Sequence, residues 1–351
     1  MGVLLLIGTR KGLFLIRGSE NDWALEGPLL PGWSINHAVA DPRNGSLYAC
    51  SNSWVYGGCV HRSTDGGATW ERSEGLGLPE ESELKLASTW HLEPGHASQP
   101  GTLWLGGEPG VLFRSDDSGV TWAANEAVLG HSTRDRWSAG AGGMITHSIA
   151  VDPENAERLW IGISAAGVFR SVDGGASFEP ANVGTEACFF PDNRFPDVGQ
   201  CVHKLLVHPA RPDRLWQQNH CGVYRSDDGG TKWERLDENG LPSPFGFALA
   251  LDAADPDVAY VIPEESAENR VTSDGRLGIY RTSDAGASWE ANVAVDPAWA
   301  AVLREGMAYD AEGGVYAGTQ SGFVYALKDG EVQEAARHLP PILSVEATAW
   351  Q

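Results

Sequence analysis

The segment Arg225-Ser226-Asp227-Asp228-Gly229-Gly230-Thr231-Lys232-Trp233 decides the fold, because its pattern occurs five times. The other copies are Arg62-Ser63-Thr64-Asp65-Gly66-Gly67-Ala68-Thr69-Trp70, Arg114-Ser115-Asp116-Asp117-Ser118-Gly119-Val120-Thr121-Trp122, Arg170-Ser171-Val172-Asp173-Gly174-Gly175-Ala176-Ser177-Phe178 and Arg281-Thr282-Ser283-Asp284-Ala285-Gly286-Ala287-Ser288-Trp289. Their key aspartates are 52, 56, 55 and 56 residues apart. A short Asp and Ser side chain can fold back onto turn amides, and glycine accepts positive φ. The aromatic residue at the end can tuck under a neighbouring strand. Such a unit closes a hairpin, and strand-rich units at this period predict a propeller.

Each unit also carries an inner strand ending near Asp-Pro, a second strand such as Arg158-Leu159-Trp160-Ile161-Gly162, and a third such as Val168-Phe169-Arg170. Inner strands are expected near His37, His91, His147, His203, Phe247 and Glu305, and a seventh at Ile342-Leu343-Ser344-Val345-Glu346. The last has no second strand after it. Val3 to Gly8, Leu13 to Arg17 and Trp23 to Gly27 supply the missing three. Gly8-Thr9-Arg10-Lys11-Gly12 parallels Gly318-Thr319-Gln320-Ser321-Gly322, which supports this register. The expectation is an all-β, seven-bladed β-propeller spanning 1–351 as one domain. Its N- and C-terminal strands share a blade and so remove the exposed edges.

The five repeats resemble the Asp-box, or bacterial neuraminidase, repeat of sialidase-like propellers. That family includes sialidases, other glycoside hydrolases, receptor ectodomains and assembly factors, so the resemblance implies the fold and leaves the function open. A sialidase needs three arginines, a tyrosine nucleophile beside a glutamate, and an aspartate acid. The family's early Phe-Arg-Ile-Pro motif is absent; Arg10 lies in the corresponding blade but within Gly-Thr-Arg-Lys-Gly.

With 25 Lys and Arg against 47 Asp and Glu, the formal net charge is −22, which disfavours nucleic acid and anionic membranes as partners. The opening Met1 to Lys11 has its charges after a short apolar run, unlike a signal peptide, and reads as a strand. Five cysteines form no disulfide framework and point to a reducing, cytoplasmic setting. Long helical periods are absent; Asp296 to Glu305 is the one helix-like stretch.

In a four-stranded meander the inner strands begin on the face opposite the repeat turns, and ligands gather where loops converge over the channel. His91, His147 and His203 each lie 12 residues before the Leu of the next strand, namely Leu103, Leu159 and Leu215. His37 and Glu305 lie 10 before Leu47 and Val315. Phe247 holds the position in another blade, and Ser344 in the shared one. Four histidines and a carboxylate converging on the axis predict a divalent transition metal, zinc or iron. The alternative is that these histidines only hydrogen-bond neighbouring strands.

Two long loops carry further candidates. One contains His131, Arg134, Asp135, Arg136 and Trp137; the other contains Phe189, Phe190, Asp192, Asn193, Arg194 and Phe195. Arg134 and Arg194 there could grip a carboxylate or phosphate, or the loops could simply cover the channel mouth. Cys201, His203, His220 and Cys221 could form a second, softer metal site or a reactive thiol, although reduced buried cysteine is the commoner outcome.

Three functions follow. The leading one is a metal-dependent enzyme acting on a small molecule, with Glu305 a ligand, a partner of a ligand or a general base. The others are a sialidase-like glycoside hydrolase and a non-catalytic binding scaffold.

Overall fold

The structure is a computed structural model that describes residues 2–19 and 22–350; the two ends of the expected 1–351 span lie outside the described residues. Seven four-stranded antiparallel sheets form a ring, a β-propeller. Blade 1 is the shared one. Its inner strand Ile342–Trp350 pairs with Gly2–Thr9, followed by Gly12–Ser19 and Asp22–Leu29. The inner strands of blades 2 to 7 are Ser34–Ala40, Ser88–Pro94, Thr146–Val151, Val202–His208, Gly246–Leu251 and Met307–Tyr309. Asp296 to Glu305 is not helical. The short helical turns are Glu126–Leu129, Arg134–Arg136 and Ser273–Gly275. A periodicity argument over so few residues cannot separate a helix from an irregular connection.

Second strands such as Leu103–Glu108 and Leu159–Ile163 are near-continuous apolar runs because a blade's middle is covered on both faces. Outer strands such as Glu71–Arg72 and Glu234–Arg235 are only two residues long and exposed, which blunts the sheet edges. The core consists of seven apolar clusters, each lying between two adjacent blades. Trp160, Leu215, Tyr224 and Trp233, for example, join blades 4 and 5. Trp216, Leu249, Val261 and Trp289 join blades 5 and 6.

The repeat turn links these levels. Ser171 Oγ accepts the Gly175 amide at 2.8 Å and donates to Asp173; Asp173 in turn accepts the Ser177 amide at 2.9 Å. The same bonds recur at Ser63, Ser115, Ser226 and Thr282. The glycine this creates faces the previous blade. A Cβ on Gly175 would lie 2.7 Å from the Trp104 ring, and one on Gly119 would lie 2.9 Å from Tyr48. The turn is therefore a plug between blades as well as a hairpin closure.

The sequences of blades 7 and 1 do not carry that repeat. Tyr316, in the second strand of blade 7, meets Trp23 edge-on at 6.2 Å instead. A cavity of about 700 Å³ opens at this junction, with Trp23, Tyr309, Tyr316, Asp310, Lys328 and Ala347 among its lining residues.

Candidate functional site

Pairing across each first hairpin corrects the ring count made from the sequence. Ala40 faces Leu47, Pro94 faces Leu103, Val151 faces Leu159, Val207 faces Leu215 and Tyr309 faces Val315. Three residues before these anchors come His37, His91, Ser148, Lys204 and Gly306. One residue earlier come Asn36, Trp90, His147, His203 and Glu305. The connecting turns differ in length, so a count from the second strand mixes two positions. Strand side chains alternate in direction, and a slip of one residue changes the face.

The two positions do different work. Asn36, Trp90, His147 and His203 are skipped by the ladder, as bulge residues. Three of them reach the next blade's inner strand. Asn36 Nδ2 donates to the Thr89 carbonyl at 2.9 Å, His147 Nε2 to Val202 at 2.8 Å, and His203 Nδ1 to Gly246 at 2.6 Å. Burial holds His147 and His203 well below the usual imidazole range, with Arg304 adding to the effect. The five expected ligands therefore do not share one site. His147 is a neutral strap between blades, and His203 joins a different cluster.

His37, His91 and Glu305 do meet, with donor atoms all within 4.8 Å of one another. Lys204, which the sequence reading passed over, completes the group. Its ammonium is ion-paired with the Glu305 carboxylate, and both residues are buried. His91 Nδ1 lies 3.3 Å from Glu305 and its Nε2 lies 3.5 Å from Glu93; both approaches are too poorly aligned for hydrogen bonds, so they act as ion pairs. His37 stacks on His91 with centroids 4.3 Å apart. Its Nδ1 accepts the Leu92 amide at 3.2 Å, which leaves the proton on Nε2 to be donated to Glu346 at 3.0 Å. The same Nε2 lies 3.9 Å from Glu305.

Electrostatics follow from this packing. Burial alone would raise Glu305, but Lys204, His91 and His37 outweigh it and hold the carboxyl well below its usual range. Burial would lower His91, but Glu305 and then Glu93 push it up to about 9. Lys204 is likewise raised, with Glu305 and Glu346 overcoming its desolvation. At neutral pH the centre is an ionised carboxylate between two buried cations. Glu346 and Glu93, about one-third exposed, form the outer acidic shell. As it stands, the carboxylate that a divalent ion would need is occupied by an ammonium group.

Both loop arginines have protein partners. Arg134 donates to the carbonyls of Pro109, Gly110 and Val128 at 2.7, 3.0 and 3.2 Å and lies over Trp137, so it ties its own loop to blade 3. Arg194 is exposed and pairs with Glu186. Arg134 is thus engaged with carbonyls of its own surroundings, and Arg194 with Glu186. Arg304 was missed. Its guanidinium lies 5.0 Å over Phe247, its Nε is buried without a partner, and its other contact is Ser164 Oγ at 3.5 Å. No motif marks it; only its place immediately before Glu305 could have drawn notice.

The cysteines also need correction. Cys188 and Cys221 are joined in a disulfide, with Cα atoms 5.9 Å apart, while Cys50, Cys59 and Cys201 are free. The partners are 33 residues apart in different loops, so spacing could not reveal them.

No family model matches the chain. It is 23% identical over 235 residues to a xyloglucanase from a Paenibacillus species, an alignment covering 65% of this chain and 18% of that protein. It is 28% identical over 201 residues to an oligoxyloglucan-reducing end-specific xyloglucanase of Emericella nidulans, covering 52% and 22%. The match thus spans about a fifth of each relative's length. Among solved structures it resembles an ancestral GH74 enzyme, with a TM-score of 0.55, 17% identity, and coverage of 90% of this chain and 38% of that one. The chain is a seven-bladed propeller with weak similarity to GH74-type glycoside hydrolases.

Proposed function

We propose that this chain is a glycoside-hydrolase-like propeller that takes a glycan rather than a metal-activated small molecule. The observation carrying this reading is the local sequence similarity to two xyloglucanases. The site offers compatible groups. Glycoside hydrolysis uses two carboxyl groups, one ionised and one able to deliver a proton, about 5–9.5 Å apart depending on stereochemistry. Glu305 and Glu346 approach the same His37 nitrogen at 3.9 and 3.0 Å, so their near oxygens cannot be farther apart than those two distances combined.

Roles follow from the environment. Glu305 stays ionised but is held by Lys204, so its role in this reading is to stabilise a developing oxocarbenium charge. Glu346, the more exposed of the two, is the second carboxyl group of the pair and meets His37 of blade 2. His37 positions both carboxylates.

Incubation with xyloglucan oligosaccharides, followed by measurement of new reducing ends, tests the reading. Turnover by the parent, lost in Glu305→Gln and Glu346→Gln, supports it. No turnover and no binding across soluble β-glucans and sialosides overturns it. A second reading, a non-catalytic binding propeller, is favoured by exposed Trp54, Tyr56, Phe195 and Trp299 in connecting loops. Saturable glycan binding without turnover in the parent would select it.

A further inference from the structure

We propose that Cys201, His203 and His220 form a three-ligand site for zinc, with an open fourth position faced by Arg304 and Arg270. The proposal is independent of the glycan reading. The donor set is the second, softer site read from the sequence without Cys221, which the disulfide removes, and it shares only His203 with the ring.

Three observations support it. The donor atoms of Cys201, His203 and His220 lie within 4.8 Å of one another. Bonds of about 2.0–2.3 Å to a tetrahedral ion would draw such donors together only modestly from there. Next, the donors are held in place. His203 gives its Nδ1 proton to the Gly246 carbonyl at 2.6 Å, which leaves Nε2 with a lone pair, the arrangement that orients metal-binding imidazoles. The His220 amide donates to the Cys201 carbonyl at 2.9 Å, and the Cys188–Cys221 disulfide pins the residue after His220. Phe189 and Phe245 meet the His220 ring edge-on at 5.4 and 5.3 Å, and Phe247 stacks on His203 at 4.3 Å. No protein acceptor or donor is bonded to the His220 ring nitrogens among the described hydrogen bonds, so the aromatic cage orients the ring without satisfying it.

The third observation is Arg304. Its buried Nε has no partner, and Arg270 lies over the same Phe247 ring at 5.4 Å. A thiolate, two neutral imidazoles and a dication leave a net positive centre, and Arg304 and Arg270 both act electrostatically on Cys201. An anionic fourth ligand, hydroxide or a carboxylate, satisfies all three cations. Thiolate with imidazole suits zinc or copper over calcium or magnesium. Binding releases the Cys201 proton to solvent. Cys201 and His220 are partly exposed, which provides entry.

The experiment is a titration of the metal-stripped full chain, without thiol reductant, using zinc chloride and then cobalt(II) chloride as the spectroscopic probe. The expected result is one equivalent bound, a thiolate-to-cobalt charge-transfer band in the near ultraviolet, and a melting temperature raised by zinc. Cys201→Ser removes the band, and both Cys201→Ser and His220→Asn weaken zinc binding at least a hundredfold. The melting curves without metal report whether each variant folds. A parent without the band, or binding that survives Cys201→Ser and is lost in His91→Gln, overturns the proposal; the second outcome places the ion in the ring.

Discussion

Lys204 shows how much a single residue governs at the centre. Lysine was not a candidate ligand, yet its ammonium neutralises the buried Glu305 carboxylate. Lys204→Met leaves Glu305 without its main counter-charge and is expected to cost about 3–5 kcal/mol, as breaking a buried ion pair does. Adding Glu305→Gln should recover most of that loss, because a neutral amide is cheaper to bury beside an apolar chain. Urea unfolding of the two variants checks both steps; a double variant as unstable as the single one would show that the pair's charge is not the issue. His91 gives a pH signature. Its folded pKa of about 9 is above its unfolded value, so its contribution is complete below the unfolded pKa of about 6.5 and fades as pH rises towards 9. The parent's melting temperature should therefore fall between those pH values more steeply than that of His91→Gln, as thermal melts can show.

At the scale of the element, the repeat turn and the first hairpin carry the lesson. The turn was legible in advance because its bonds are local. Ser171, Asp173 and Ser177 bind each other and Gly175 within seven residues. Ser171→Ala strands the buried Gly175 amide and is expected to cost about 1–3 kcal/mol, measurable by denaturant unfolding. An effect below a few tenths would mean that water or Asp173 replaces the hydroxyl. The first hairpin was less legible. Only pairing reveals that His37 aligns with His91 and Lys204, while His147 and His203 align with Asn36, because the intervening turns differ by a residue or two. A bulge then lets the skipped residue strap one blade to the next.

For the whole molecule, ring closure is the dominant constraint. The Gly2–Thr9 strand pairs with Ile342–Trp350 over eight registered positions, and without it two edge strands face solvent. Removing the last ten residues is expected to abolish the single cooperative unfolding transition and to promote association, readable by calorimetry and light scattering; an unchanged monomeric transition would show that six blades and a part are enough. Closure also explains the junction cavity. The seven junctions are not alike, since five repeat turns plug their neighbours and the sequences of blades 7 and 1 carry no such repeat.

By itself the sequence determined the blade count, the shared blade and the repeat turns, because these depend on side chains reaching amides a few residues away and on apolar runs of strand length. It also singled out His37, His91 and Glu305, though together with His147 and His203 as one site. Only the tertiary structure decided which histidines meet, that Lys204 occupies Glu305, that Arg134 and Arg194 are already engaged, and that Cys188 bonds Cys221. Those contacts join residues from different blades and loops. Their distances depend on turn length, strand register and ring curvature, and a linear spacing does not carry that information.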